Sequence, residues 1–206
     1  LVNREEMQKI DHYAINVLNI PSICLVERAS LAVLKNIDLN IRNSFAVVVG
    51  VGNNGADGVA LARNLLAMDK YVDLYIVGNL SKASEEFNLN LKAVRAMTDQ
   101  IYEVKSIADI EFMEKNLDKV TTIIDGIFGT GLSRTIEGEF AYVIDLINRK
   151  RTYTISIDLP SGLDASTGES FGDLVDADLV VTMQCMKEGL ENNPYFKDKT
   201  VVEDIG

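Results

Sequence analysis

Apolar positions along the chain fall into two spacings. Val47 to Val49 form an unbroken β-branched run, which suits a strand buried on both faces of a parallel sheet. Val59, Leu61, Ala62, Leu65 and Leu66 then recur at helical spacing. Gly50, Gly52, Gly55 and Gly58 lie between them, so the stretch reads as strand, glycine loop and helix. Residues 3–18 predict an earlier helix. Asn3 caps it, Glu6 completes a capping box, and Met7, Ile10, Tyr13, Ala14 and Val17 form its apolar face. Pro21 opens the next helix. There Ile23, Leu25, Val26, Ala29, Leu31, Val33 and Leu34 are apolar over much of the surface. Such a helix is well buried, against the sheet or against another subunit. Glu27 and Arg28 interrupt it, either as a solvated pair or as groups facing a ligand.

Further strands are expected at 71–77, 101–104, 120–125, 152–159 and 177–183, with an edge strand at 200–205. Helices are expected at 82–97, opened by Leu80 and Ser81, at 107–117, and around Phe140, Val143, Ile144 and Ile147. Alternation of strand and helix predicts an α/β fold of three-layer αβα, Rossmann-like form. Its sheet is mostly parallel, with helices on both faces and right-handed crossovers. A single domain over 1–206 is expected, with no internal repeat or linker. Residues 162–173 are the longest irregular segment and read as a functional or covering loop.

Composition narrows the partners. The chain has 206 residues, 47% hydrophobic and 25% charged, with a formal net charge of −11. That balance argues against nucleic acid and anionic membrane. No apolar run approaches the roughly 20 residues of a membrane span. The start is charged from Arg4 onward, unlike a signal peptide. Cys24 and Cys185 are too few for a disulfide scaffold and lack metal spacing. A cytoplasmic location is expected. His12 is the only histidine and reads as structural or exposed, so histidine triads and multi-histidine metal sites are disfavoured.

Ligands of such sheets bind beyond the carboxyl ends of the strands, where strand order reverses. Three polar loops should arrive there: 52–55, 125–131 and 158–162. Gly50-x-Gly52-x-x-Gly55 matches the dinucleotide fingerprint. The acid that normally binds ribose is missing: Asp73 lies inside its strand and would point out of the sheet. Asn53 and Asn54 could ligate a cation or donate to a ligand; alternatively they cap the following helix. Asp125 and Asp158 each end an apolar strand. Their bland reading is that each caps a loop amide.

Taken together and in order, these pieces resemble the NAD(P)H-hydrate epimerase family, also called the YjeF N-terminal domain. They are Met7-Gln-Lys-Ile-Asp11, Ile20-Pro-Ser22 with Glu27-Arg-Ala29, Gly52-Asn-Asn-Gly55 with Asp57-Gly58, Asp125-Gly-Ile-Phe-Gly-Thr-Gly-Leu132, Ser156-Ile-Asp-Leu-Pro-Ser-Gly-Leu-Asp164, Lys187-x-Gly-Leu190 and Asp204-Ile-Gly206. The resemblance implies a substrate: NADH or NADPH that has taken up water and carries a hydroxyl at C6. The family interconverts the two C6 epimers, so that a separate ADP- or ATP-dependent dehydratase can repair both. It also implies a potassium ion on Asn54, Asp125 and Ser161; a homodimer is expected separately, through the apolar Ile23 to Leu34 helix. Implied substrate contacts are Asn53, Asn54, Gly55, Ala56 and Asp57, then Gly129, Thr130, Gly131, Leu132, Ser133, Arg134 and Thr135, and Asp158.

The carbon's own chemistry suggests a mechanism. A hydroxyl beside a ring nitrogen is a hemiaminal. Expulsion of hydroxide, or ring opening, makes the carbon planar, and return to the other face inverts it. One acid–base group suffices. Asp158 is expected to serve, with Lys187 as helper or orienter; Lys187 also reads as a surface lysine just past a strand. Ala56, Ser30 and the missing Pro-Gly after Leu190 depart from the family's usual pattern. Two alternatives stand beside this reading: a non-catalytic nucleotide- or protein-binding module on the same fold, and a dehydrogenase for intact cofactor. The chain could also be the N-terminal part of a fused epimerase–dehydratase.

Overall fold

The computed structural model describes residues 1–206. Its sheet has seven strands: β1 (Ser44–Val49), β2 (Tyr71–Val77), β3 (Ile101–Val104), β4 (Thr122–Gly126), β5 (Tyr153–Ile157), β6 (Leu179–Met183) and β7 (Thr200–Glu203). Every pairing is parallel, in the order β3-β2-β1-β4-β5-β6-β7. The chain winds outward from β1 to β3, returns to β4, and winds outward the other way. The switch point therefore lies between β1 and β4.

Alternation along β1 shows how the layers form. Phe45, Val47 and Val49 join one core with α2 (Ser22–Lys35), α3 (Asn53–Ala67) and α4 (Glu85–Met97). Ala46 and Val48 join the other core with α5 (Ile107–Leu117) and α6 (Glu139–Lys150). The period of two sends successive side chains to opposite faces. Asp73 follows that rule. It lies with the second face, buried, and accepts a hydrogen bond from the Tyr71 hydroxyl at 3.0 Å.

Several elements differ from the expected ones. The first helix divides into α1 (Arg4–His12) and a π-helical turn, Tyr13–Val17. Its capping box is present as read: Glu6 N donates to Asn3 and Asn3 N donates to Glu6. The helix expected at 82–97 begins later. Leu80–Lys82 is a separate 3-10 turn, because the Ser84 hydroxyl accepts from Phe87 N at 3.2 Å and restarts the helix there. Strand β5 stops short at Ile157, because Asp158 adopts a left-handed conformation (φ 66°).

Helix α2 is buried along one face only, through Ala29, Ser30, Ala32 and Val33. Leu31 remains 46% exposed. Glu27 does not pair with Arg28. It binds Arg63 and Asn64 of α3. Two single-turn helices, α7 (Glu188–Glu191) and α8 (Pro194–Lys197), precede the edge strand β7. No helix is long and apolar enough to cross a membrane.

Candidate functional site

The loop after β1 enters α3 through Gly52, whose backbone is extended at the N-cap without a side-chain cap. Asn53 and Asn54 are already the first helical residues, so the capping reading of these amides does not hold. The backbone here is crowded. A β-carbon at Gly55 would stand 1.8 Å from the Gly50 carbonyl oxygen, and one at Gly50 would stand 2.4 Å from that of Ile127. Only glycine allows the loops after β1 and β4 to touch in this way.

Asn54 is 8% exposed, and neither its amide nitrogen nor its carbonyl oxygen has a hydrogen-bond partner. A buried amide of this kind costs about 1–3 kcal/mol if left unsatisfied. Asp125, at the end of β4, is fully buried. It accepts from the Ser156 hydroxyl at 2.6 Å, from Ser161 N at 2.9 Å, from the Ser161 hydroxyl, and from Ile127 N at 3.3 Å. It therefore does hold loop amides, as the bland reading has it, but no cationic side chain accompanies it. Burial pushes its carboxyl above the ordinary value, and the surrounding donors pull back against that shift. The Ser161 hydroxyl also accepts from Phe128 N at 2.9 Å, which ties the loop after β5 to the loop after β4.

Asp158 sits 13% exposed by its side chain, opposite Lys187, which is wholly buried. Lys187 Nζ donates to Asp158 at 2.6 Å and to the Met183 carbonyl at 2.6 Å. The surface reading of Lys187 is thus overturned. The cause is long-range. Val2 forms a parallel bridge with Lys187, donating to Met186 O and accepting from Glu188 N, and so lays the N-terminal segment beside it. Asp158 also accepts from the Thr182 hydroxyl and Met183 N. Its bonds reach the neighbouring strand β6, not its own loop. A non-glycine residue held left-handed costs of order 1–3 kcal/mol, and such outliers gather at functional sites.

Gly129 joins the two halves. A β-carbon there would lie 3.2 Å from the Asn54 amide carbon and 3.3 Å from Asp158 Oδ2. The space between them is one a side chain would fill. Leu132 packs on the second core, while Gly131, Ser133, Arg134 and Thr135 are exposed and make no bond to the acids. Asn53 is likewise exposed.

Two more carboxylates complete the cluster. Asp57 is pushed well above its ordinary value, first by burial and then by the negative charges of Asp158 and Asp11. Asp11, on α1, is raised by burial and by Asp158, and is lowered by Lys187. Asp11 was legible only as part of a motif, because its approach depends on α1 folding back over the sheet rim. A carboxyl raised in the folded state holds its proton more tightly there. Its contribution to stability is complete below the ordinary value and is lost as pH rises through the raised one. Asp57→Asn should therefore become progressively more stable than the wild type as pH rises. Urea midpoints at acidic and alkaline pH check this, and a difference independent of pH would refute it.

Of the three residues expected to bind a cation, Asp125 and Ser161 are hydrogen-bonded to each other, and the partnerless buried amide of Asn54 borders Gly129 in the loop after β4. All are hard oxygen donors suited to an alkali or alkaline-earth ion.

Known proteins resemble this chain along nearly its whole length. Residues 22–189 match the family described as YjeF-related protein N-terminus. An NAD(P)H-hydrate epimerase of Anaerococcus prevotii is 61% identical, over 100% of this chain and 94% of its own length. One from Oenococcus oeni is 36% identical, over 100% and 96%. The crystal structure of yeast ynu0 superposes with a TM-score of 0.82 at 18% identity, covering 99% of this chain and 87% of that one, a likeness of fold. With the match spanning most of the chain, it belongs to the family of YjeF-related protein N-termini.

Proposed function

We propose that this protein is an NAD(P)H-hydrate epimerase, an isomerase that interconverts the C6 epimers of hydrated NADH and NADPH. The observation that carries the reading is 61% identity, over the whole chain, with a protein of that name. The rim of the sheet supplies what the reaction needs. Asp158 and Lys187 form a proton-carrying pair where a ligand lying between the loops after β1 and β4 would place its ring. Asp158 moves the proton to and from the C6 hydroxyl as the carbon becomes planar and closes again. Lys187 holds Asp158 in place and supplies the balancing charge. The glycines of both loops let backbone N–H groups approach a pyrophosphate.

A potassium ion belongs to the same proposal. Asn54, Asp125 and Ser161 would hold it, and its charge would neutralise Asp125 and brace the loops after β4 and β5. Self-association as a homodimer and a cytoplasmic site of action are also part of the proposal. Exposed Leu31, Tyr13, Val17 and Leu18 support the first; free Cys24 and Cys185 support the second. So is a functional link to a dehydratase that consumes one epimer. The domain is taken as 1–206.

The test uses an epimer mixture pulled off balance by a dehydratase specific for one form. Purified protein should restore the balance far faster than buffer. Re-equilibration no faster than in buffer would leave a nucleotide-binding module as the better reading. A hydride-transfer product with intact cofactor would favour a dehydrogenase.

A further inference from the structure

One cation at the rim is unaccounted for. Arg4 lies in the first turn of α1, where a positive charge opposes the helix dipole. Its backbone is fixed: N donates to the Ser166 hydroxyl at 3.1 Å, and Val2, two residues before, is bridged to Lys187. Its Nη2 donates to the carbonyl of Gly131, at 3.2 Å, in the exposed glycine loop. Its Nε is buried and has no partner. Neither Arg4 nor Arg134, which lies exposed on the same loop, makes an ion pair. Arg28, Arg42, Arg95 and Arg151 make no ion pair either, so what sets Arg4 apart is its buried, partnerless Nε.

A guanidinium presents its donors as a fork that matches two oxygens of a phosphate. One carbonyl uses a single tine and leaves Nε unsatisfied. A phosphate that displaces the Gly131 carbonyl would take Nη2 and Nε together. We propose that Arg4 is a specificity-determining residue: with Arg134 it grips a phosphate of the dinucleotide over the Gly129–Thr135 loop. This rests on the epimerase reading for the identity of the ligand. The shared chemistry is a phosphate, which is either the pyrophosphate of both substrates or the 2′-phosphate found only on hydrated NADPH.

The experiment compares Arg4→Gln and Arg4→Lys with the wild type. Gln still offers a donor to Gly131, so a mere staple of the loop would survive. Arg4→Gln should raise KM about 10- to 100-fold, the weight of a charge-assisted pair, with kcat and melting temperature little changed. Arg4→Lys should fall between. The rise of the wild-type KM with added salt should flatten in Arg4→Gln. A rise for both hydrates assigns the pyrophosphate; a rise for hydrated NADPH alone assigns the 2′-phosphate. Unchanged KM for both, in a folded variant, overturns the proposal. Calorimetry with inorganic pyrophosphate compares the same proteins without turnover. An inactive wild type whose pyrophosphate binding weakens in Arg4→Gln would remove the epimerase reading and keep the Arg4 site.

Discussion

Asp158→Asn is expected to slow epimer interconversion by about 10²–10⁴-fold, the usual weight of a general acid–base group, and also to weaken the fold. The second effect follows from asymmetric burial. Lys187 is sealed from solvent, whereas the Asp158 side chain is 13% exposed. Removing the carboxylate strands a buried ammonium, which costs about 3–5 kcal/mol. Backbone strain would not contribute, since Asn tolerates the left-handed conformation as well as Asp does. Lys187→Met should cost less stability, because the remaining carboxylate reaches water. The double variant Asp158→Asn with Lys187→Met separates the roles. Loss of both charges from a buried pair is often nearly neutral, so denaturant midpoints should recover while turnover stays low. If turnover recovered along with stability, the pair would be a structural brace and the chemistry would lie elsewhere.

Potassium should raise the melting temperature of the wild type above that in choline chloride of equal strength, and Asp125→Asn should abolish the difference. An ion that binds only the folded state stabilises it by RT ln(1 + [L]/Kd), about 2.7 kcal/mol at a hundredfold excess over Kd. Asn at 125 loses the charge and turns an amide group toward Ser156 and Ser161, which already donate there. Leaving such donors unmatched costs about 1–3 kcal/mol in itself. Asn54→Ala is the cleaner partner experiment. Its carboxamide has no bond to lose, so the variant should remain stable while the potassium effect and epimerisation both decline. Retention of the full potassium shift in both variants would place any ion at another site.

These expectations depend on features of unequal visibility in the chain. The parallel sheet was readable from β-branched runs between helical spacings. The capping boxes at Asn3 and Ser106 obey short-range chemistry, and the former was foreseen. The acids that end β4 and β5 were visible as polar residues closing apolar runs. Lys187 was legible as a partner of Asp158 but not separable from a surface lysine, because its burial comes from Val2, at the other end of the chain. Ser156, inside β5, gave no separate signal, since its hydroxyl matters only through its register opposite Asp125. Arg4 reads as an ordinary helix residue until Gly131 is seen against it.

By itself, the order of residues determined the class of fold, the acids and glycines that close its strands and the family to which they point. Periodicity, caps and glycine turns act over a few neighbours and need no partner from far away. Only the tertiary structure decided which polar groups are paired, which are left without partners, and which carboxyls are pushed upward. Those properties are set by burial and by contacts between distant segments. Arg4 and Ser166, 162 residues apart, are one such contact, and no local pattern encodes it.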